Sequence, residues 1–398
     1  MKILCLGNAD NLGIRVYSWL RKSGLNADLC RVTADEDSKR GSINFYQKGN
    51  ETNIFFYTKK HHYIIEALWG NAFIDSLNKK YNCVLVTGGF HALMLSSTLK
   101  VPKIFIPVGY EVGYHADRFR VFPNIIKELT NLRSSLGGYL NSTLTRRALR
   151  RCSAITDSYP YNLEICKNLG LGNKIKFLGF AEDIEINKKL INKRLLVKLN
   201  NKTKNFKRTF LWLSRLNMKD IKDPQYKGAE LFLGALKKCS DLIKSREVVV
   251  YIGKHGIDAN YFVSMAKSYK IYNDIIWVEH LDYPDLLAYL SIENAVLFSE
   301  FGDNNSCISG IGRDAYTVGA PMVNQTTDVV MTQQYSQPGL RYYASNENEI
   351  YNSMRYFVSL SEDKYYDWHC KTKEYGKKFI DIKCYIPRLK KVIQSVTE

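Results

Sequence analysis

Short apolar runs alternate with polar, glycine-bearing turns along the whole chain, and helical spacing follows several of those turns. Residues 2–6 (KILCL) read as a strand, Gly7 to Gly13 as its turn, and residues 14–23 as a helix with Ile14, Tyr17 and Leu20 on one face. Further buried-type strands are predicted at 27–32, 83–87, 103–107, 154–157 and 174–178. The alternation restarts at 209–213 (TFLWL) and continues through 247–252 and 275–278, with a helix over 284–290. Strands that alternate with helices imply parallel sheets, and two successive sets imply two Rossmann-like α/β domains. The tail from 359 to 398 is predicted to be helical.

The stretch 295–323, AVLFSEFGDNNSCISGIGRDAYTVGAPMV, is the densest in signals. An apolar run ends on Ser299, a polar glycine-containing loop follows, and a helix is predicted over 308–317. A strand that empties into such a loop and then a helix start suits an anion, because unpaired N–H groups and the helix dipole face it there. Asp314, a few residues further on, could accept from ribose or sugar hydroxyls. An ordinary βα turn would use the same glycines and asparagines for backbone reasons alone.

Composition narrows the class. At 398 residues the chain suits two domains, and 45% hydrophobic with 24% charged residues is ordinary for a globular protein. A formal net charge of +18 favours anionic partners, namely nucleotides, nucleic acid or an acidic membrane surface, without choosing among them. Residues 118–151 carry eight basic side chains and one acid, including Arg146, Arg147, Arg150 and Arg151, which reads as a solvated face or a membrane-docking one. Residues 188–208 carry nine basic residues and no acid, and read as a surface helix with a linker. Nine scattered cysteines without a CxxC pair imply reduced thiols and no structural zinc. The N-terminus has no signal-peptide pattern and the longest uncharged run, 83–99, is too polar to span a bilayer, so a cytoplasmic protein, peripheral on the inner face of the membrane, is expected. The G-x-G-x-x-G fingerprint is absent, which argues against a dehydrogenase. In the first half, His91 and Glu111 each lie just past a glycine at a strand end, where parallel sheets bind ligands. His91 reads equally well as a surface or interdomain histidine.

An ordered set of motifs in the second half resembles the donor-binding half of GT-B glycosyltransferases, most nearly the retaining family 4. Leu213-Ser214-Arg215-Leu216 is followed by Lys227-Gly228 and a helix; a strand ends on Gly253; residues 277–281 precede a helix; and 314–323 resembles the family's E-A-x-A-x-G-x-P-V ending. The first half matches only through the Gly13 turn and Gly109-x-Glu111. The resemblance implies two Rossmann-like domains facing across a cleft, with a C-terminal helix crossing back: 1–185 plus 376–398 for the acceptor, 186–208 as a basic linker, and 209–375 for the nucleotide sugar. It implies transfer of a sugar from a UDP- or GDP-sugar to a glycan or lipid-linked acceptor, with retention, in cell-surface polysaccharide assembly. Arg215 and Lys227 would hold the diphosphate, with backbone N–H groups of Ser309, Gly310 and Ile311. Gly13, the backbone at His280 and Leu281, and Asp314 would complete the donor site. This chain departs from the family in two places. Ser306 stands where the family's E-x7-E motif has its first glutamate, so Glu300 or Asp303 is expected to supply that carboxylate; Val108 replaces the family's histidine, so His91 or His115 is expected in its place. No metal or other cofactor is expected. A non-catalytic nucleotide- or glycan-binding protein on the same fold, and a nucleic-acid-binding protein, are the alternatives.

Overall fold

The computed structural model describes residues 1–8, 12–32, 53–57, 72–108, 112, 116, 132–156, 160–179, 181–217, 226–301, 310–325 and 341–398. The chain divides into two compact units, 1–178 with 386–398, and 179–385.

The first unit is built on β1 (Lys2–Leu6), β2 (Asn26–Val32), β3 (Ile54–Tyr57), β4 (Cys83–Thr87), β5 (Lys103–Ile106), β6 (Ala154–Thr156) and β7 (Ile175–Lys176). All pair in parallel, in the order β3-β2-β1-β4-β5-β6-β7. The central strands are buried on both faces, which is why they read as unbroken apolar runs. β3 has no counterpart among the predicted strands. It is an edge strand with Phe56 half-exposed, so its pattern carries little burial signal.

The strand order reverses between β1 and β4. There Gly7 has φ 93°, and a Cβ on it would lie 2.7 Å from both Ala92 Cβ and the Gly88 oxygen. Gly13, in the helix Leu12–Lys22, presses on the Gly7 carbonyl so closely that any side chain would overlap it. Asn8 Oδ1 accepts from the Ile14 N–H at 2.8 Å and fixes the start of that helix.

The second unit repeats the winding with β8 (Arg208–Trp212), β9 (Val248–Gly253), β10 (Ile275–Val278), β11 (Ala295–Phe298), β12 (Met322–Asn324) and β13 (Tyr342–Tyr343), in the order β10-β9-β8-β11-β12-β13. All pairs are again parallel. Alternate residues of each strand enter two cores. Phe210, Trp212, Val250 and Phe298 face one side; Leu211, Tyr251, Leu297 and Met322 face the other. Trp212 is fully buried and stacks on Phe232 at 5.1 Å, with Phe301 beside it at 5.9 Å.

The basic run expected as a linker is folded into this unit. It forms the helices Ile184–Leu190 and Lys193–Thr203 and the first residue of β8. Asn192 donates to Asp285 at 2.7 Å, Asn294 donates to the Phe206 carbonyl at 2.8 Å, and Leu199 is in the core. The lysines form the outer face of an amphipathic helix whose apolar positions the charge had obscured.

Arg208 is also not a surface charge. Its guanidinium is buried, donates to the Phe357 carbonyl at 3.0 Å, the Leu360 carbonyl at 2.8 Å and Glu362 at 2.8 Å, and lies over the Tyr365 ring at 4.2 Å. It thereby ties the helices Glu347–Ser359 and Glu362–Tyr375 to the sheet. The helix Ile382–Thr397 crosses the boundary of the units, and Lys390 Nζ donates to the Ser23 carbonyl at 3.5 Å within the first.

In the helix Leu132–Arg151, Arg146 donates to the Ala116 carbonyl at 2.8 Å and Arg151 to the Ser97 carbonyl at 2.9 Å, while Arg147 and Arg150 are exposed. Among the described residues no helix is long and apolar enough to cross a membrane. The described cysteines are free thiols, and burial pushes Cys30, Cys83 and Cys152 up to about 12, leaving them protonated and inert.

Candidate functional site

In a doubly wound sheet, strands on either side of the order reversal send their following loops to opposite faces and leave a crevice beyond their carboxyl ends. In the second unit that point lies between β8 and β11. Lys227 and Glu300 meet at this edge.

Lys227 Nζ stands 3.1 Å from Glu300 Oε1; the carboxylate side chain is 1% exposed and the lysine 24%. The backbones are tied as well, since the Phe301 N–H donates to the Lys227 carbonyl at 3.0 Å. Gly228 follows with φ 72° and packs so tightly on the Phe301 carbonyl that a Cβ would overlap it. Phe301 is fully buried and anchors the contact. Glu300 itself has φ 62°, a left-handed conformation that costs a residue with a side chain of order 1 kcal/mol or more, and the Gln325 N–H caps its carbonyl at 3.2 Å. Strain held in place by packing on both sides sets the direction of this carboxylate. Ser299, next to it in the chain, and Asn324 at the end of β12 carry a buried hydroxyl and a buried side-chain amide with no hydrogen-bond partner among the described residues.

Gly228→Ala tests this arrangement. The left-handed φ and the backbone overlap both act against it, so a loss of about 2 kcal/mol or more is expected. Thermal unfolding that matches the parent protein would show the clamp to be slack.

Arg215 follows β8, is exposed, and has no ion pair among the described residues. The helix Gly310–Val318 follows β11 and has no acidic residue in its first turn, so the dipole at its start favours an anion. Gly310 is exposed and Ile311 half-buried. His280 and Leu281 follow β10, exposed and half-buried respectively.

Asp314 stands differently from the ribose ligand expected of it. Its side chain is buried and accepts from the Tyr283 hydroxyl at 2.7 Å, and that hydroxyl also lies 3.1 Å from Asn187 Oδ1. The carboxylate therefore joins the helix Gly310–Val318 to the helices Tyr283–Leu290 and Ile184–Leu190.

Gly13 and His91 belong to the first unit. Gly13 serves the close helix–strand approach described above, and His91, half-buried on the helix Phe90–Ser96, packs edge-to-face with Phe90 at 5.4 Å. Glu111, His115, Asp303, Ser306 and Ser309 lie outside the described residues. Sequence reading missed His255, which follows β9 and meets His280 ring to ring at 5.5 Å. The signal was present in Gly253-Lys254-His255-Gly256 at a strand end, and only its partner was hidden.

Among the described residues no group of three or more His, Cys, Asp or Glu side chains is placed to hold a metal ion. A cavity of about 770 Å³ in the same unit, lined by Lys188, Ser291, Thr317, Tyr366 and His369 among others, opens at the far ends of these helices and is separate from the Lys227–Glu300 edge.

Scanned against protein-family models and against curated proteins, the sequence matches none. Solved structures do match along the full length. HepE of Anabaena, in complex with UDP, aligns with a TM-score of 0.69 at 12% identity over 99% of this chain and 100% of that one. The fold is GT-B. A glycosyltransferase from Rickettsia africae aligns at 0.67 and 10% identity over 100% and 98% of the two chains, and the lipopolysaccharide outer core galactosyltransferase WaaB at 0.60 and 13% over 99% of each. The GT-B architecture expected from the sequence is thus the one observed. At these identities the likeness concerns the fold, and the chemistry rests on this chain's own residues.

Proposed function

We propose that the protein is a glycosyltransferase that binds a nucleoside diphosphate sugar at the β8–β11 edge of its second unit. The observation that carries the reading is the Lys227–Glu300 pair, locked by Gly228 and Phe301 at the crevice of a GT-B sheet. A HepE structure that aligns along this chain holds UDP-glucose, which supports the same class of donor here.

The chemistry follows from charge. As the glycosidic bond to phosphate breaks, negative charge grows on the leaving diphosphate, and groups already aimed at it lower the barrier. Arg215, Lys227 and the helix start at Gly310 supply cations and N–H donors there. Glu300 holds the ammonium of Lys227 in place. The reading requires neither a protein nucleophile nor a metal, and transfer with retention is its stereochemical form. The acceptor is a glycan or lipid-linked intermediate in cell-surface polysaccharide assembly, at the inner face of the membrane; the net charge and the exposed Arg147 and Arg150 support an anionic surface as its setting.

A thermal-shift panel of UDP, GDP, ADP, CMP and their sugar conjugates, with and without magnesium, tests this. One nucleoside diphosphate is expected to stabilise the protein without metal, by about 2.7 kcal/mol at a hundred times Kd. Release of that nucleotide from its sugar conjugate in the presence of acceptor would then show turnover. A folded protein that no nucleotide stabilises would overturn the reading.

A further inference from the structure

Beyond the carboxyl ends of β8, β9 and β10 lie three basic side chains from three loops: His255 and His280, whose rings meet, and Arg215, the chain neighbour of the Leu216 whose N–H donates to the His255 carbonyl. The imidazole rings of His255 and His280 stand edge-to-face, 5.5 Å apart at 75°. Backbone bonds fix the loop that carries His255. Its carbonyl accepts from the Leu216 N–H at 2.8 Å, the Lys254 N–H donates to the Val278 carbonyl at 2.6 Å, and Asn217 Oδ1 accepts from the Ile257 N–H at 3.1 Å. Gly256, with φ 121°, fits where a side chain would overlap the Leu216 backbone. The loop after β9 is therefore stitched to the loops after β8 and β10.

His255 Nδ1 is buried and has no hydrogen-bond partner among the described residues. The groups that act on His255 from neighbouring elements are His280 and Arg215; Lys254 and Asp258 flank it in its own segment, and Glu279 and Asp282 flank His280. Burial, then His280, then Arg215 hold His255 below the ordinary imidazole range, so near neutral pH it is uncharged.

We infer that His255 and His280 form, with Arg215, an anion clamp that takes up a proton as it closes on the donor diphosphate. The inference rests on the nucleotide-sugar reading above and adds two residues and a pH dependence to it. Arg215 is a permanent charge, whereas His255, in ring contact with His280, supplies a charge that forms when an anion offsets the burial and repulsion acting on it. The proton comes from solvent and goes to an imidazole nitrogen; no bond in the ligand changes. An anion raises the imidazole pKa in the complex above that of the free protein. Affinity is then fully present below the free-protein pKa and declines as pH rises through the pKa of the complex.

UDP-glucose and GDP-mannose are suitable probes, because their diesterified phosphates do not titrate in this range. Isothermal titration near pH 7 in two buffers of different ionisation enthalpy is expected to show net proton uptake with whichever donor binds. Affinity should fall as pH rises from 6 to 8, up to about tenfold for each unit by which binding raises the pKa. His255→Gln and His280→Gln should each flatten that slope and reduce the proton uptake, with folding verified by thermal unfolding. The matching nucleoside without phosphate should bind without uptake. Donor binding that is independent of pH, an unchanged slope in both folded variants, or equal uptake with the nucleoside would overturn the clamp and leave the donor site standing. Absence of binding by either sugar nucleotide at every pH would instead overturn the underlying reading, and the clamp with it.

Discussion

Lys227→Ala is expected to lower kcat/KM for the sugar nucleotide by roughly 10- to 150-fold, the equivalent of one charge-assisted hydrogen bond of about 1.5–3 kcal/mol to the diphosphate. It should also lower stability, which a simple surface phosphate ligand would not do. The partner carboxylate, Glu300, has a side chain only 1% exposed, so removing the ammonium 3.1 Å away leaves a buried negative charge short of its ion-pair partner. The two effects separate with a second variant. Lys227→Arg keeps a cation beside Glu300 and should recover most of the stability, while its planar fork recovers the donor contact only in part. Arg215→Ala provides the contrast. Arg215 is exposed and has no ion pair among the described residues, so binding should weaken while the melting temperature stays near that of the parent. Steady-state kinetics with thermal unfolding on all three variants checks the set. Unchanged kcat/KM in both Lys227→Ala and Arg215→Ala would remove the diphosphate from this edge.

Arg208→Ala is expected to be the most damaging single change to folding, at about 3–5 kcal/mol. Three separate losses combine. The Phe357 and Leu360 carbonyls, at the end of the helix Glu347–Ser359 where intrahelical donors run out, lose a charged partner. The cation over the Tyr365 ring is lost. A large buried side chain leaves a cavity against β8. A fall in melting temperature on the order of 10 °C is expected for a unit of this size. Arg208→Met, which refills part of the volume without the hydrogen bonds, should fall between the two. A melting temperature within a degree of the parent for Arg208→Ala would mean that the two C-terminal helices dock without this side chain.

The legible part of this protein was the part written in local pattern. Strands buried on both faces appear as continuous apolar runs, so most of β1 to β11 stood out, and their alternation with helices implied parallel sheets. The edge strands β3 and β13 carry weaker signals, because half-exposed residues such as Phe56 and Tyr343 serve either environment. The run 188–208 misled for a related reason. Its lysines dominate the composition, while the positions that bury it, Leu199, Thr203 and Arg208, are sparse and one of them is charged.

Sequence by itself determined the α/β class, the two successive Rossmann-like halves and the residues that flank the strand ends of the second, because each depends on spacing within a few residues. Tertiary structure decided which of those residues meet. Lys227 reaches Glu300 across 73 positions, His255 reaches His280, and Asp314 is taken up by Tyr283. Those pairings follow from the winding order β10-β9-β8-β11-β12-β13, which brings β11 against β8 and β10 against β9. Strand order is a property of the whole sheet, set by how every helix and strand buries its apolar face at once, and no local stretch of the chain encodes it.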